Sequence, residues 1–470
     1  MRQCLTDSEG GYYTSSSAQF GRDGDFVTSP EISQIFGELV GVWLVAEWMA
    51  QGKRKGVEIL EVGPGKGTLM SDILRTVRNF KSFSDSIERI YLVEASSKLR
   101  DQQRELLCGS NKPEQNTVGW ACKSLYGPEV IWCEDIRFIP RGMSSIWSFL
   151  RPITNRPVDP SKSPFIIAHE FFDALPIHVF ESVAPNTEST ITVSATNPSP
   201  PRRIPASNQW RELLISPAPE PVPSPEQTGS LSVSAKGGSD PAPEFELVKS
   251  KGPTPHSLYL PETSDRYKKV KPINGAVIEI SPEAQAYAAD FAVRIGGGHA
   301  PITTPLAGQS SKPSSGSSRQ VVFNKPQPSG AALIFDYGPQ STIPANSLRG
   351  IKAHKLVSPL TAPGAVDLSA DVDFIALAES AIRASPGIEV HGPVEQGTWL
   401  SAMGIAERAK MLMQQVGSAG EQERAKEVDR SWKRLVERGG GGMGKIYKAI
   451  AIVPLDNGRR PVGFGGDVFE

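Results

Sequence analysis

The feature that most constrains this chain is a glycine-rich loop, EVGPGKGT at 61–68. It follows VEILEVG at 57–63, a β-branched run typical of a buried strand, and it leads into a stretch at 68–80 typical of an amphipathic helix. Glycines at such a junction let the backbone turn tightly and approach a ligand, and the helix N-terminus adds unpaired N–H groups. The pattern predicts a ligand-binding loop in an α/β fold.

The spacing of the loop excludes two common phosphate-binding types. A P-loop has a serine or threonine directly after its lysine, but Lys66 is followed by Gly67. A dinucleotide fingerprint has the spacing G-x-G-x-x-G, whereas Gly63, Gly65 and Gly67 give G-x-G-x-G, with Glu61 two positions upstream. This arrangement resembles the first motif of class I methyltransferases. The resemblance implies that the loop binds S-adenosylmethionine and that Glu61 lies near its ammonium group, directly or through water.

Strand-like and helix-like segments alternate along the rest of the chain. Strands are predicted at 90–94, 130–135, 164–170, 275–280, 330–338 and 445–454. Helices are predicted at 28–50, 68–80, 95–107 and, after a Ser281 cap with Pro282 in the first turn, up to 291. This alternation predicts a parallel, doubly wound sheet.

Low-complexity sequence interrupts this pattern. Residues 184–206 and 216–243 are dominated by Pro, Ser, Thr and Ala, and so is a second region at 295–328. Such sequences cannot bury enough apolar surface to offset their ordering entropy, so they are predicted to be disordered. Strand-like segments at 208–216 and 244–250 predict a β-hairpin whose connection has expanded into a disordered tract.

These boundaries divide the chain into five segments. They are the N-terminal half of the core with the glycine loop, the hairpin with its insertion, a continuation of the core, a low-complexity linker, and the C-terminal part of the core with substrate-side elements. The predicted bounds are 1–183, 184–270, 271–294, 295–328 and 329–470.

Composition excludes several classes of protein. Fifty basic and fifty-one acidic residues give a net charge of -1, which argues against binding nucleic acid through a basic surface. The four cysteines form no C-x-x-C pair, so no metal site is predicted and a reducing compartment fits. The longest apolar stretch, 36–50, is too short to span a bilayer and contains Glu38 and Glu47.

Two carboxylates follow predicted strands in the order that the loop's ligand would require. Glu94 ends the second strand, where a carboxylate can accept hydrogen bonds from both ribose hydroxyls. Asp135 ends the third strand, where a carboxylate could meet the adenine amino group. The alternative is that both are ordinary loop residues.

The segment HEFFDALP at 169–176 follows the fourth strand, at the sheet edge where doubly wound folds place their chemistry. A zinc protease would need H-E-x-x-H, but position 173 is Asp173, so no metal is predicted here. The segment combines two carboxylates, two aromatic rings and a histidine, which makes it the candidate catalytic segment.

Longer blocks make the resemblance specific. The chain resembles the MidA family in its segments GDFVTSPEISQIFGELVGVW, EVGPGKGTLMSDILR, HEFFDALPIHVF, EISPEA, ALIFDYG and LRGIKAHKLVSPLTAPGAVDLSADVDF. The resemblance implies a Rossmann-like class I methyltransferase fold with added helices, with S-adenosylmethionine as the methyl donor. It further implies symmetric ω-N dimethylation of an arginine in the 49-kDa-type subunit of complex I, in the mitochondrial matrix. Eukaryotic members carry a presequence before the GYY segment, which lies here at 11–13, so either leading residues are missing or targeting differs.

A role in arginine methylation can be assigned to each residue of the candidate segment. Glu170 and Asp173 are predicted to clamp the guanidinium through bidentate hydrogen bonds, and His169 to relay its proton because a histidine ordinarily titrates near working pH. Phe171 and Phe172 would line the donor or stack on the cation, or else belong to the core. On the substrate side, two further candidates that could equally cap loops are Asp371 and Asp373.

Two other functions remain open at this stage. One is an assembly chaperone that binds the donor for stability without catalysis. The other is a nicotinamide-dependent oxidoreductase, which the glycine spacing disfavours. Retained complex assembly with Glu170→Ala would favour the chaperone.

Overall fold

The computed structural model describes residues 1–14, 27–139, 160–185, 207–219, 243–299, 322–418, 420–456 and 458–465. Most of the low-complexity sequence predicted at 184–206, 216–243 and 295–328 lies outside these ranges.

The described strands, in chain order, are β1 (Val57–Val62), β2 (Ile87–Val93), β3 (Glu114–Gln115), β4 (Trp120–Lys123), β5 (Glu129–Cys133), β6 (Ser163–His169), β7 (His178–Val183), β8 (Gln209–Pro217), β9 (Phe245–Lys249), β10 (Val277–Ile280), β11 (Gly298–His299), β12 (Val322–Phe323), β13 (Ala331–Tyr337), β14 (Arg349–Lys352), β15 (Lys355–Val357), β16 (Asp367–Ser369), β17 (Ile388–Glu395) and β18 (Tyr447–Pro454).

The described α-helices are α1 (Arg2–Thr6), α2 (Ser29–Ile32), α3 (Gln34–Ala50), α4 (Thr68–Val77), α5 (Lys81–Ser84), α6 (Ser97–Cys108), α7 (Pro255–Tyr259), α8 (Asp265–Val270), α9 (Pro282–Gly296), α10 (Phe374–Ala384), α11 (Gln396–Ala402), α12 (Ile405–Ser418) and α13 (Gln422–Val436). Within the described residues, none of these helices combines the length and the apolar character that crossing a bilayer would require.

A nine-stranded sheet with the order β17-β18-β13-β6-β1-β2-β5-β4-β3 forms the centre of the fold. The five strands β13, β6, β1, β2 and β5 are mutually parallel, as the sequence predicts. The predicted parallel, doubly wound sheet is extended on both sides by strands that the prediction did not describe as antiparallel: β18 and β4 run antiparallel to their neighbours. Antiparallel edge strands are common on otherwise parallel sheets of this kind.

Helices cover both faces of this sheet. Because β1, β6 and β18 are buried along their whole length, their sequences are nearly continuous apolar runs rather than alternating ones. One core joins the sheet to α3 and α4, and includes Trp43 and Trp399. The other joins it to α9 and α10. The result is a three-layer α/β/α architecture.

The helix predicted at 28–50 is interrupted. Ser33 has an extended backbone (φ -152°, ψ 126°), which ends α2, and its hydroxyl accepts a hydrogen bond from Ile35 N–H at the start of α3. Serine competes with the helix by bonding nearby backbone groups, which explains the break. The break places α2, with Pro30 and Glu31, beside the glycine loop.

A separate four-stranded antiparallel sheet has the order β10-β7-β8-β9. The predicted hairpin is confirmed, since β8 pairs with β9 from Leu213–Lys249 to Pro217–Phe245. The second low-complexity region begins later than predicted, because α9 extends to Gly296 and β11 pairs with β12. A third sheet, β15-β14-β16, packs against residues near the N-terminus through Leu5, Tyr12, Val366 and Leu368.

Candidate active site

A cavity of about 300 Å³ lies where β1, β2, β5 and β6 end. This is the lower end of the range for small-molecule sites, and the position is the one that doubly wound sheets use for ligands. Eight of the thirteen residues predicted for the site line it: Glu61, Gly63, Gly65, Glu94, Asp135, His169, Glu170 and Phe171. The other five do not: Gly67, Phe172, Asp173, Asp371 and Asp373.

The glycine loop requires its glycines for backbone geometry. Gly63, Gly65 and Gly67 have φ values of 66°, 52° and 84°, in the left-handed region that other residues rarely adopt. A Cβ on Gly63 would also lie 2.7 Å from Phe171 Cδ2. Gly67 caps α4 and closes the turn by donating to the Pro64 carbonyl at 2.8 Å. Gly67 therefore shapes the loop without lining the cavity.

Gln103, on α6, fixes this loop and was missed from the sequence. Its side-chain amide donates to the Gly65 carbonyl at 2.6 Å and to Glu94 Oε2 at 3.2 Å. Its carbonyl accepts from Trp132 Nε1 at 2.9 Å. One fully buried side chain thus joins the loop, the carboxylate after β2 and strand β5. A glutamine in the middle of an amphipathic helix gives no sequence signal of this role.

Glu61 presents an unsatisfied carboxylate to the cavity. Its side chain is 2% exposed, and Oε2 has no hydrogen-bond partner among the described residues. Burial, and then the nearby charge of Glu94, raise its pKa to about 8. A buried polar atom of this kind is costly unless a ligand pairs with it, and a cationic ammonium group would do so.

Glu94 and Asp135 differ in how much of their carboxylate is available. Glu94 accepts from Ser96 N–H at 2.9 Å and from Gln103, which orient the group and leave further lone pairs for hydroxyl donors. Burial nevertheless raises its pKa to about 7. Asp135 is occupied by Arg137, which donates to Oδ1 at 2.8 Å and to Oδ2 at 2.6 Å. Asp135 therefore orders its own loop at the rim of the cavity.

The HEFFDALP segment turns sharply after β6. Glu170 has a φ of 50°, an uncommon conformation for a residue other than glycine. Asp336, at the end of β13, stabilises the turn because its Oδ2 accepts from the N–H groups of Phe171 at 3.1 Å and Phe172 at 2.9 Å. Asp336 was not predicted for the site, although its position near the carboxyl end of a buried strand was the available signal.

His169 is buried and neutral. Its ring packs edge-on against Phe36, with centroids 5.0 Å apart, and burial lowers its pKa to about 3. This lowered pKa argues against the premise that His169 titrates near working pH, on which the proton-relay prediction depends. Its Nε2 lies 3.4 Å from Glu170 Oε1.

Glu170 is the second unsatisfied carboxylate of the cavity. Its Oε1 is buried without a hydrogen-bond partner among the described residues. The backbone of Ser29 and the hydroxyl of Tyr447 do bond the carboxylate, but burial and the Asp173 charge raise its pKa well above the ordinary value. A carboxylate of raised pKa is a stronger base than an exposed one.

Asp173 and Phe172 lie behind the cavity wall. Asp173 Oδ2 accepts from the Tyr337 hydroxyl at 2.5 Å, so its carboxylate is directed away from the cavity. Phe172 is 2% exposed and packs in the core against Tyr287 and Phe291. The predicted two-carboxylate clamp is corrected to Glu170 alone, and of the two aromatic residues only Phe171 lines the cavity.

Asp371 and Asp373 also lie away from the main cavity. Asp371 pairs with Arg349 at 2.7 Å, and Asp373 pairs with Arg266 at 2.8 Å while capping α10. Both line a separate space of about 20 Å³, smaller than a substrate side chain requires. Their capping and ion-pair roles replace the predicted substrate-side role.

Residues near the N-terminus form a wall that sequence analysis missed. Arg2, on α1, lines the cavity and donates to Glu283, at the start of α9. Glu31, on α2, has a buried Oε2 without a hydrogen-bond partner among the described residues, while its Oε1 lies 3.3 Å from Lys66 Nζ. No local motif marks Arg2, because its position depends on packing far from the glycine loop.

The cavity is acidic overall. Its lining contains more carboxylates than cationic side chains: Glu31, Glu61, Glu94, Glu134, Asp135, Glu170 and Glu283 against Arg2 and Lys66. The glycine loop, the unsatisfied Glu61 and the oriented Glu94 fit an amino-acid moiety with a ribose. The acidic lining suits the cationic sulfonium of S-adenosylmethionine.

Comparison with known proteins agrees with this fit. The family described as S-adenosyl-L-methionine-dependent methyltransferase matches residues 39–394. A Danio rerio relative named "Protein arginine methyltransferase NDUFAF7, mitochondrial" is 32% identical, covering 88% of this chain and 74% of the relative. The protein of that name from Xenopus laevis is 32% identical, covering 97% of this chain and 80% of the relative. The one from Homo sapiens is 31% identical, covering 88% of this chain and 70% of the relative.

Solved structures share the fold. A Burkholderia thailandensis superfamily member, described as a "likely methyl transferase" and bound to S-adenosyl-homocysteine, superposes with a TM-score of 0.60 at 19% identity, covering 99% of this chain and 87% of that chain. A native structure of a protein from the same superfamily and organism superposes with a TM-score of 0.57 at 18% identity, covering 99% of this chain and 86% of that chain. Together with the family match, these results show that the chain belongs to the S-adenosyl-L-methionine-dependent methyltransferase family and has its Rossmann-like fold.

Proposed function

We propose that this chain methylates an arginine side chain of a protein, and that Glu170 binds the guanidinium. The observation that carries the proposal is that two carboxylates on one cavity, Glu61 and Glu170, have buried oxygens without a hydrogen-bond partner among the described residues, Glu61 Oε2 and Glu170 Oε1. A third such oxygen, Glu31 Oε2, belongs to a carboxylate that already pairs with Lys66. Glu61 suits the ammonium group of the donor, and Glu170 is left for a second cation. The names of the relatives, all protein arginine methyltransferases, support the choice of arginine.

The chemistry requires positioning and loss of a proton. S-adenosylmethionine, when bound, would supply a methyl group on a sulfonium: a nitrogen lone pair bonds the methyl carbon as the carbon–sulfur bond breaks, and the neutral thioether S-adenosylhomocysteine leaves. A guanidinium is protonated in water and is a poor nucleophile, so the protein must orient it and accept a proton as the nitrogen–carbon bond forms. In the proposal, the Glu170 carboxylate forms that ion pair and takes that proton. His169 is neutral, and its role is to border the carboxylate and exclude water.

Finer features of the proposal depend on the family resemblance and on the relatives' names. We propose symmetric ω-N dimethylation, with the 49-kDa-type subunit of complex I as substrate and the mitochondrial matrix as the compartment. The mitochondrial designation of the relatives supports the compartment. The relatives' names, all protein arginine methyltransferases, support a protein substrate.

The test is methyl transfer from isotope-labelled donor to matched arginine and lysine peptides, followed by mass spectrometry. Glu170→Gln should lower the rate by about 10²- to 10⁴-fold while donor binding is retained. Glu58→Gln is the matched control, since Glu58 is also buried and burial also raises its pKa, but it does not line the cavity.

Equal rates for Glu170→Gln and the native chain would contradict the assignment of Glu170. Transfer to lysine rather than arginine would contradict the substrate class. Complementation of a knockout by an inactive Glu170→Gln chain would favour the assembly-chaperone function instead.

A further inference from the structure

A second polar cluster lies on the four-stranded sheet, outside the cavity. His178 begins β7, Glu212 lies in β8, and His256 lies in α7. Their ligand atoms all lie within 4.8 Å of one another. Strand pairing and the packing of α7 bring together three residues far apart in the sequence, which explains why no spacing motif predicts the cluster.

Both histidines direct the same ring nitrogen at the same oxygen. His178 Nδ1 lies 2.8 Å and His256 Nδ1 3.4 Å from Glu212 Oε1, and the ring centroids are 4.2 Å apart. Tetrahedral zinc holds such donors at about 2.0–2.2 Å, which separates them from one another by only a little over 3 Å. The two distances from nitrogen to Glu212 Oε1 are close to that value, and all three ligand atoms lie within 4.8 Å, so side-chain rotations would bring them to an ion.

The carboxylate is held in place by neighbours that are not ligands. Thr254 donates its hydroxyl to Glu212 Oε2 at 2.5 Å, which leaves Oε1 for the two histidines. Ser250 accepts from the Glu212 N–H at 3.1 Å, and its own N–H donates to the Glu212 carbonyl at 2.8 Å. Ordered contacts of this kind orient ligands at metal sites.

The cluster is also accessible to solvent on one side. The Glu212 side chain is 7% exposed, whereas those of His178 and His256 are 29% and 56% exposed. An ion could therefore enter past His256 and keep a water as its fourth ligand. Two imidazoles and one carboxylate favour zinc over Mg²⁺ and Ca²⁺, because those two ions take oxygen ligands.

We propose that His178, Glu212 and His256 form a zinc site that joins β7, β8 and α7. In the bound form each imidazole carries its proton on Nε2 and coordinates through the Nδ1 lone pair. Without the ion, His178 Nδ1 is hydrogen-bonded to Glu212 Oε1, and His256 Nδ1 lies 3.4 Å from the same oxygen. The proposal is independent of the methyl-transfer activity.

The experiment is titration of the purified full-length chain with Zn²⁺ after chelator treatment, by competition with a metal indicator. One equivalent should bind, and His256→Ala should weaken binding at least tenfold. His391→Ala is the control, because His391 also lies near a carboxylate, 3.6 Å from Glu389, in a pair with no second histidine. His256 is exposed, so its replacement should leave the fold intact, which circular dichroism checks.

Three further readouts decide the proposal. Thr254→Val, which removes the orienting hydroxyl, should weaken Zn²⁺ binding by about 10- to 100-fold. Zn²⁺ should raise the melting temperature of the native chain and not that of His256→Ala, while Mg²⁺ should raise neither. Zn²⁺ binding that survives His256→Ala would overturn the proposal, as would a sulfur-to-metal charge-transfer band with Co²⁺, which would place the ion on cysteines.

Discussion

The side-chain amide of Gln103 donates a hydrogen bond of 2.6 Å to the backbone carbonyl of Gly65. The same nitrogen reaches Glu94, and the amide oxygen is held by Trp132. A single side chain on α6 therefore sets the position of the glycine loop relative to the carboxylate that follows β2. Donor affinity should depend on this residue although it does not line the cavity.

Gln103→Leu should weaken S-adenosylmethionine binding by about 5- to 150-fold, since losing buried hydrogen bonds costs about 1–3 kcal/mol. The change leaves the Trp132 N–H and the Gly65 carbonyl without this partner. Calorimetric titration measures the affinity. Gln102→Leu, at the exposed neighbouring position, is the control and should bind as the native chain does. Equal affinity for both variants would show that the loop holds its shape without Gln103.

Gly63→Ala should have two effects, a strained backbone and a new contact in the glycine loop, whereas Gly52→Ala should have only the first. Both glycines have positive φ, 66° and 82°, so both variants place alanine in a left-handed conformation, at a cost of about 1–2 kcal/mol. Only at Gly63 would the new Cβ also contact Phe171; at Gly52 it meets nothing within 4 Å. We expect both to lower the free energy of unfolding, Gly63→Ala by more, and only Gly63→Ala to impair donor binding. Denaturant unfolding measures the free energy of unfolding, and calorimetry measures donor binding. Unimpaired donor binding by Gly63→Ala would count against the assignment of this loop to the donor.

The parts of the site that follow from local patterns were predictable. The loop lies between β1 and α4 as its glycines require, and Glu94 and Glu170 follow directly from strand ends. Parallel strands bring their carboxyl ends to one edge, so knowing the strands is enough to place these residues together.

Residues whose role depends on burial or distant packing were not predictable. Asp173 shares a short motif with Glu170, yet its carboxylate bonds Tyr337 behind the wall. The pKa of His169 depends on being surrounded by apolar rings, which its sequence neighbours do not indicate. Arg2 reaches the cavity only because the N-terminal segment packs on β16.

Donor binding should release protons below pH 8. The pKa of Glu61 is raised to about 8 by burial, so its carboxyl is largely protonated in the free protein at pH 7, and pairing with an ammonium ionises it. Titration at pH 6.5 in two buffers of different ionisation enthalpy should show this release. Glu61→Gln should bind the donor more weakly and release fewer protons; release equal to that of the native chain would remove Glu61 from the donor site.

The same raised pKa affects stability in the free protein. Glu61 binds its proton more tightly when folded than when unfolded, so its contribution is present below its unfolded pKa and is lost as pH rises to about 8. Glu61→Gln should therefore flatten the decline in unfolding free energy between about pH 4.5 and 8. An unchanged pH dependence of the unfolding free energy would show that the pKa of Glu61 is the same in the folded and unfolded protein.

His169 should have the opposite effect on stability. Burial lowers its pKa to about 3, so the unfolded chain binds a proton there that the folded chain does not. With an unfolded pKa of about 6.5, the stability contributed by the neutral ring is present above that value and is lost as pH falls towards 3. Denaturant unfolding at pH 4, 5, 6 and 7 should show a shallower loss for His169→Gln than for the native chain, whatever constant offset the lost ring packing adds. Parallel curves would mean that the pKa of His169 is the same in the folded and unfolded protein, and would restore the histidine as a candidate proton relay.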